Sequence, residues 1–560
     1  MLLRGLKIGL LLALFGLQAA AAASEQPNIA LIVAEDMSAR VGAFGDPVAR
    51  TPHIDRLAAE GVRYTQVFSA SGVCAPNRSA LITGVYPQSL GTQHMRTANR
   101  DYQAVPPPAV KAFPELLRSA GYATANSAKT DYQFGEPFTL WDVNHGNFAL
   151  PADLALWRRL PKHKPFFVMI NLTATHESWL ATPETKGEGT FAAFITGLAL
   201  ARKALVTEVT DPDAVEVPDY YPDQPSVRES MAQHYDNIHY MDAQVGEIMA
   251  NLRADGLLES TTVIWTTDHG DGLPRAKRSV YDSGLHVPLV LRRPGMQGAG
   301  SADARLISIV DLAPSLLQMA HVDVPDFMQG ADRLGTSNKR EYVFAGRDRM
   351  DQLPDWVRAV RDGRYKYIRN YRPELAYFRP LVFRDMFPVM QALWAGHEAG
   401  TLNDSQRFYF TAPRPSEELY DTQQDPQELV NLATVPEHAQ TLARLQAAMD
   451  DWLVRVGDKS AVAESEMIES MWPSGEQPVT ATPFVERIGQ KLALHSTTPG
   501  ASIALRFKAG GIGGGMFADA TPWQLYVDPI TLPLDADLRI EAKAIRYGFA
   551  PSEVATFSIR

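Results

Sequence analysis

One cysteine, Cys74, occurs in 560 residues. A single thiol excludes an intrachain disulfide, so the fold must rest on packing rather than covalent staples. Long apolar runs are equally scarce: beyond Ile8 to about Ala23 no stretch is apolar enough to cross a bilayer. Positive charge is in deficit, with 53 Lys and Arg against 64 Asp and Glu and a net charge of −11, so no nucleic acid partner is expected. No internal repeat is present. The run Gly510-Gly511-Ile512-Gly513-Gly514-Gly515 lacks the Lys-Ser/Thr and the βαβ setting of a phosphate loop.

What is present is ordinary for a soluble globular protein with a large core: 45% hydrophobic and 21% charged residues. The length predicts several domains. Arg4 and Lys7, the apolar run and its alanine-rich end read as a signal peptide over residues 1–23. The expectation is an exported chain, periplasmic or secreted, with no stable membrane anchor.

The stretch from Ser71 to Gly84 surrounds the cysteine. Its Gly, Pro, Asn and Ser flanks are turn chemistry, and Ser79 to Gly84 reads as a short helix closed by glycine. A Cys at a helix N-terminus beside Arg78 sits in a positive field and is primed for reaction or anion binding. The plainer alternative is a buried thiol packed as a small hydrophobe.

Carboxylates gather at predicted strand ends. The strand Pro27 to Ala34 runs into Glu35-Asp36, and Thr261 to Thr267 runs into Asp268-His269-Gly270-Asp271. Parallel α/β sheets bind ligands at such carboxyl ends, and hard oxygen donors there suit Ca²⁺ or Mg²⁺. Solvated strand ends are the alternative. A third buried strand, Pro165 to Asn171, leads to His176. Arg228 to Arg253 has helical periodicity, with Tyr235, Ile238, Met241, Val245, Ile248 and Leu252 on one face. Strand–helix alternation through residues 27–370 predicts an α/β fold: a mixed, mainly parallel sheet covered by helices on both faces.

The motif Cys74-x-Pro76-x-Arg78 resembles the signature of the type I, formylglycine-dependent sulfatases, with heparan N-sulfatase-like members (N-sulfoglucosamine sulfohydrolase) the nearest subgroup. Thr51-Pro52-His53-Ile54-Asp55-Arg56-Leu57, Ile309 to Leu317 and Leu419-Tyr420-Asp421 with Asp425-Pro426-Gln427-Glu428 occur in the family's order. The resemblance covers about residues 27–456 and implies an alkaline-phosphatase-like fold with a smaller α+β C-terminal subdomain. It also implies that a maturation enzyme oxidises Cys74 to formylglycine, whose hydrate attacks sulfur. It implies one divalent cation, Ca²⁺, at Glu35, Asp36, Asp268 and His269, with Cys74 completing the site. Arg78, Lys129, His176 and Lys277 match family active-site positions, and His176 or Lys277 would be the general acid. Glu35 replaces the usual Asp, and Asp131 stands where members carry a His, so no acid–base role passes to it.

The implied reaction is hydrolysis of sulfate ester or sulfamate groups on a sulfated saccharide. A phosphodiester or phosphonate monoester hydrolase on the same scaffold is the alternative, separable by parallel kinetics. A glycan-binding protein without turnover is a third reading, disfavoured by the complete motif set. His94 and Arg96 on one loop, and Arg347 and Arg349 on another, are candidate substrate contacts. The domain reading is catalytic domain 24–370, subdomain 371–456, a polar linker 457–480 and an appended β-sandwich 481–560, dispensable for chemistry.

Overall fold

β1 (Asn28–Ala34) lies in the interior of the main sheet because Ile29 to Ala34 are apolar on both faces. The computed structural model describes residues 26–96, 102–146, 152–182, 185, 190–203, 209–335, 339–509, 521–531 and 538–559. The expected signal peptide and the glycine-rich run fall outside them. Among the described residues no helix is long and apolar enough to cross a membrane.

The sheet comprises β1, β2 (Val62–Phe68), β3 (Ala123–Ser127), β4 (Val143–His145), β5 (Phe166–Leu172), β6 (Thr261–Thr267), β7 (His286–Arg292), β8 (Ser301–Asp303) and β9 (Ile307–Ser308). Its order is β4-β3-β5-β1-β6-β7-β2-β8, with β9 also on β2. β1 is parallel to both β5 and β6, while β7 runs antiparallel to β6 and β2. This is the expected mixed, mainly parallel sheet. Central strands buried on both faces read as continuous apolar runs. Ala30 and Ile32 join one core with Met241, Val245 and Ile248 of the long helix Pro225–Ala254. Ile29, Leu31 and Val33 join the other with Phe113, Leu316 and Met449. The period of two along β1 divides the two cores.

A four-stranded antiparallel sheet follows: β10 (Val343–Arg347), β11 (Val357–Arg361), β12 (Tyr365–Asn370) and β13 (Glu417–Asp421). The boundary expected at residue 370 therefore cuts one sheet, and the subdomain begins near Val343. The expected linker needs the same correction. Residues 457–480 carry the helix Glu464–Met471, whose Met467 and Met471 pack with Trp472 against Tyr102 and Ala104. Its apolar side chains were hidden by a polar average composition.

The C-terminal region forms two antiparallel sheets around Leu492, Leu494, Ile503, Leu505, Ile540 and Ala542. They dock on the first unit. Buried Glu115 accepts hydrogen bonds from Tyr547 Oη at 3.0 Å and from Ser502 Oγ, and Phe134 stacks on Tyr547.

Candidate active site

The helix Cys74–Thr83 is buried on every side and ends at Gly84, whose φ of 68° suits a residue without a Cβ. Cys74 is its first residue. Asn77 ties the helix to the end of β6 by donating from Nδ2 to the Asp268 carbonyl, while its Oδ1 accepts from Ala70 N at 2.9 Å. The preceding loop lies hard against residues 278–279. A Cβ on Gly72 would stand 2.2 Å from the Ser279 carbonyl oxygen, and Arg278 N donates to Gly72 O at 2.7 Å. Only glycine permits that approach, which sets Lys277 beside the cysteine.

The three expected strand ends converge on Cys74. Its Sγ is 3.4 Å from His269 Nε2 and 3.8 Å from both Glu35 Oε1 and Asp36 Oδ1. His269 Nε2 is 3.1 Å from Asp36 Oδ1, and Asp36 N donates to Asp268 Oδ1 at 3.0 Å. Two overlapping clusters result: Glu35, Asp36, Cys74 and His176, and Asp36, Cys74, Asp268 and His269, with ligand atoms in each within 4.8 Å of one another. Asp36 holds a φ of 51°, a left-handed conformation that aims its carboxylate into the cluster.

Cations ring the carboxylates. Lys277 Nζ is 2.6 Å from Asp36 Oδ2 and 2.9 Å from Glu177 Oε1. Lys129 Nζ pairs with Glu35 Oε1. Arg78 Nε donates to Asp268 Oδ2 at 3.0 Å, and its Nη1 to Asn171 Oδ1 at 2.7 Å. Burial alone would raise the Asp36 carboxyl, but Lys277, His176 and His269 outweigh it and hold it well below the usual range. Burial pushes the Cys74 thiol well up, with Lys277 opposing and Asp36 and Asp268 adding to the rise. His176 is pulled down to about 3, by burial first and by the Lys277 charge second. Lys277 goes the other way: burial would lower it, but Asp36 and Glu177 raise it.

The two expected substrate loops meet in the structure, Met95 N donating to the Arg349 carbonyl at 2.9 Å, but their arginines find partners within the protein. Arg96 is bound by Asp131, which also lies 3.6 Å from Lys129. Arg349 is bound by Glu464, and His94 Nδ1 accepts from Arg349 N at 3.3 Å. Arg347 stands apart from this set, on a neighbouring cavity lined by Lys277 and Arg278. Sequence reasoning gave no role to Asn171, Glu177, Arg278 or Asp131. Glu177 pairs with Arg278 through two 2.8 Å hydrogen bonds and with Lys277, so it positions the lysine. Adjacent cations at 277–278 opposite an acid following His176 were the available signal, but nothing local shows that they meet.

Two family profiles match: Sulfatase over residues 27–322, and N-sulphoglucosamine sulphohydrolase, C-terminal, over residues 275–377. An ulvan-active sulfatase of Formosa agariphila is 40% identical, covering 95% of this chain and 91% of its own. Human N-sulphoglucosamine sulphohydrolase is 24% identical, covering 81% and 95%. A protein solved in complex with its substrate D-glucosamine-2-N,6-O-disulfate aligns with a TM-score of 0.56 at 18% identity, over 78% of this chain and 99% of that one. A phosphonate monoester hydrolase from Silicibacter pomeroyi aligns at 0.53 and 16% identity, over 78% and 97%, a likeness of fold alone.

Proposed function

The chain belongs to the sulfatase family, and from that premise we propose that it is an exported enzyme that hydrolyses sulfate groups on a sulfated saccharide. The observation that carries the reading is Cys74 at a buried helix N-terminus, inside a carboxylate–histidine cluster ringed by Arg78, Lys129 and Lys277. The relatives named for ulvan and for N-sulphoglucosamine support a sulfated glycan as substrate.

Residue 74, oxidised to formylglycine by a maturation enzyme, supplies a hydrated aldehyde as nucleophile. The donor set fits a hard divalent cation. Three carboxylates and one imidazole converge, and Glu35 Oε2 is buried without a hydrogen-bond partner. Glu35, Asp36, Asp268 and His269 would hold Ca²⁺ beside residue 74, where it would supply positive charge to the sulfate oxygens.

The remaining work falls to the chain's own groups. Arg78, clamped by Asp268 and Asn171, fixes the nucleophile's helix against β5 and β6. Lys129 and Lys277 offset negative charge that develops on non-bridging oxygens as the S–O bond breaks. The leaving oxygen needs a proton. Lys277, 2.6 Å from Asp36, or His176, grouped with Glu35, Asp36 and Cys74 and with its Nδ1 engaged by Ser178, supplies it.

The test is release of sulfate from defined O- and N-sulfated saccharides by protein co-produced with a maturation enzyme, with a phosphonate monoester run in parallel. Faster turnover of the phosphonate than of any sulfated compound would replace this reading with the phosphonate one.

A further inference from the structure

Asp131 brings a carboxylate to the edge of the cluster, and the backbone is strained to put it there. The turn that carries it leaves β3 with Ala128 at a φ of 73° and Asp131 at 53°, left-handed conformations that residues with a Cβ rarely adopt. The turn is pinned on both sides all the same. Asn171 Nδ2 donates to the carbonyls of Ser127 and Lys129 at 2.9 and 2.8 Å. Gln133 donates from its backbone N to Ser79 Oγ, on the helix of Cys74, at 3.3 Å, and from Nε2 to the His94 carbonyl at 2.5 Å. Strain held in place by its surroundings next to reactive groups points to a function for the strained residue.

The turn builds a line of alternating charges. Arg96 Nη1 lies 2.5 Å from Asp131 Oδ1, and its Nη2 lies 3.2 Å from Oδ2. The same Oδ2 stands 3.6 Å from Lys129 Nζ. Lys129 pairs in turn with Glu35, whose Oε1 is 3.8 Å from Cys74 Sγ. Exposure falls along this line: the Arg96 side chain is 45% exposed, that of Asp131 7% and that of Lys129 1%. Burial would raise the Asp131 carboxyl, but Lys129 and Arg96 outweigh it and keep it ionised. An ion pair with one partner this open to water adds little stability, so stability does not account for the arrangement. Two demands at the site do. An ammonium on a flexible four-carbon stem has many positions open to it, and a second acid beside it narrows them. A free carboxylate at the same place would repel an incoming anion, and a guanidinium on its outer side removes that repulsion.

We propose that Asp131 is a positioning residue for the reaction, holding the Lys129 ammonium beside residue 74, while Arg96 screens its carboxylate so that the anionic ester meets a neutral pair. This rests on the sulfatase reading above and adds to it the group that aims Lys129. It also reassigns Arg96 from substrate contact to screen.

The experiment is two double-mutant cycles on matured, Ca²⁺-loaded protein, read as kcat and KM on a sulfated saccharide and, in parallel, on a phosphonate monoester. Asp131→Asn should lower kcat about 10- to 100-fold, the scale of one charge-assisted contact, without raising KM. Placed on Lys129→Met, the same substitution should lower kcat by no more than about twofold further, because a residue that acts through Lys129 then has nothing left to aim. Asp131→Glu, which keeps the charge, should recover part of the rate. Equal losses in the two backgrounds would make Asp131 merely structural, and an undiminished kcat in Asp131→Asn would overturn the proposal. If Asp131→Asn does not fold, Asp131→Ser takes its place in both cycles. Arg96→Gln should keep kcat within about twofold of wild type and raise KM about tenfold, and on Asp131→Asn that rise should vanish. A rise of equal size in both backgrounds would make Arg96 a direct substrate contact and reject the screen. Calorimetry with inorganic sulfate repeats the second comparison without turnover: Arg96→Gln should weaken binding about tenfold, and adding Asp131→Asn should restore it. A wild type active on the phosphonate alone would overturn the sulfatase reading, yet both cycles would still be read on that ester. Brisk desulfation by wild type with additive cycles leaves the enzyme reading standing and rejects this one.

Discussion

Cys74 Sγ lies 3.4 Å from His269 Nε2, and both side chains are closed off from solvent. The thiol is pushed up by burial, and the thiolate is the reactive form, so unmodified Cys74 is a poor nucleophile. Protein made without a maturation enzyme is expected to be inactive and slow to alkylate at residue 74 until unfolded. Mass spectrometry of the matured protein should show the aldehyde. Full turnover by a preparation with an intact thiol would exclude the mechanism.

Asp268 serves three partners, accepting from Arg78 Nε and from the backbone amides of Asp36 and His269. Asp268→Asn keeps the shape and removes the charge. Bound Ca²⁺, read by elemental analysis, should fall with kcat, the latter by about 100-fold or more, the scale of losing an electrostatic group at a reaction centre. Chelation of wild type should also stop turnover, and Ca²⁺ should restore it. Undiminished activity in metal-free protein would refute the assignment.

Asn171 Oδ1 accepts from Arg78 Nη1 at 2.7 Å, and its amide donates to three oxygens of the 126–129 segment. Asn171→Ala leaves a buried guanidinium short of an acceptor, at a cost of about 1.5–3 kcal/mol. If Arg78 positions the nucleophile, kcat should fall about 10- to 100-fold with little change in KM. A loss of thermal stability alone, with kcat intact, would make Asn171 merely structural.

Asp242 caps the helix Pro52–Ala59 from the long helix, accepting from Ile54 N at 2.8 Å and His53 N at 3.1 Å. Burial raises its carboxyl to about 6, against the lowering effect of those amides. A carboxyl raised on folding binds more protons in the native state. Its contribution is therefore fully present below the unfolded value near 4 and is lost as pH rises through 6, by at most about 3 kcal/mol. Asp242→Asn should flatten the fall in melting temperature between pH 4 and 7 relative to wild type. Parallel profiles would show that Asp242 is not the titrating group.

Removing residues 482–560 takes away Tyr547 and Ser502 from Glu115 and the ring stacked on Phe134. The truncated chain is expected to lose several degrees of melting temperature, from buried polar groups left unpaired and one ring stack lost. Turnover of a small sulfated saccharide should persist, because no residue of the catalytic cluster lies beyond His269 except Lys277. A folded truncation with native metal content but no turnover would show that the C-terminal sheets help shape the active site.

Residue order alone carried much of this molecule. The apolar run of β1, its terminal Glu35-Asp36, and the Asp268-His269 pair after β6 were legible because strand ends are local features and parallel sheets bring those ends together. Cys74-x-Pro76-x-Arg78 was legible because a helix start and its glycine stop span only eleven residues. Pairings between distant segments were not. Sequence could not show that Arg96 and Arg349 are bound to Asp131 and Glu464 while Arg347 faces a cavity, since the three arginines read alike on their loops. It hid the packed helix in the supposed linker, whose few apolar residues count only because Tyr102 lies opposite. Residue types and short-range spacing set which groups could act. The tertiary fold decided which charges are satisfied, because an ion pair depends on which side chains meet in space, and chain distance does not encode that.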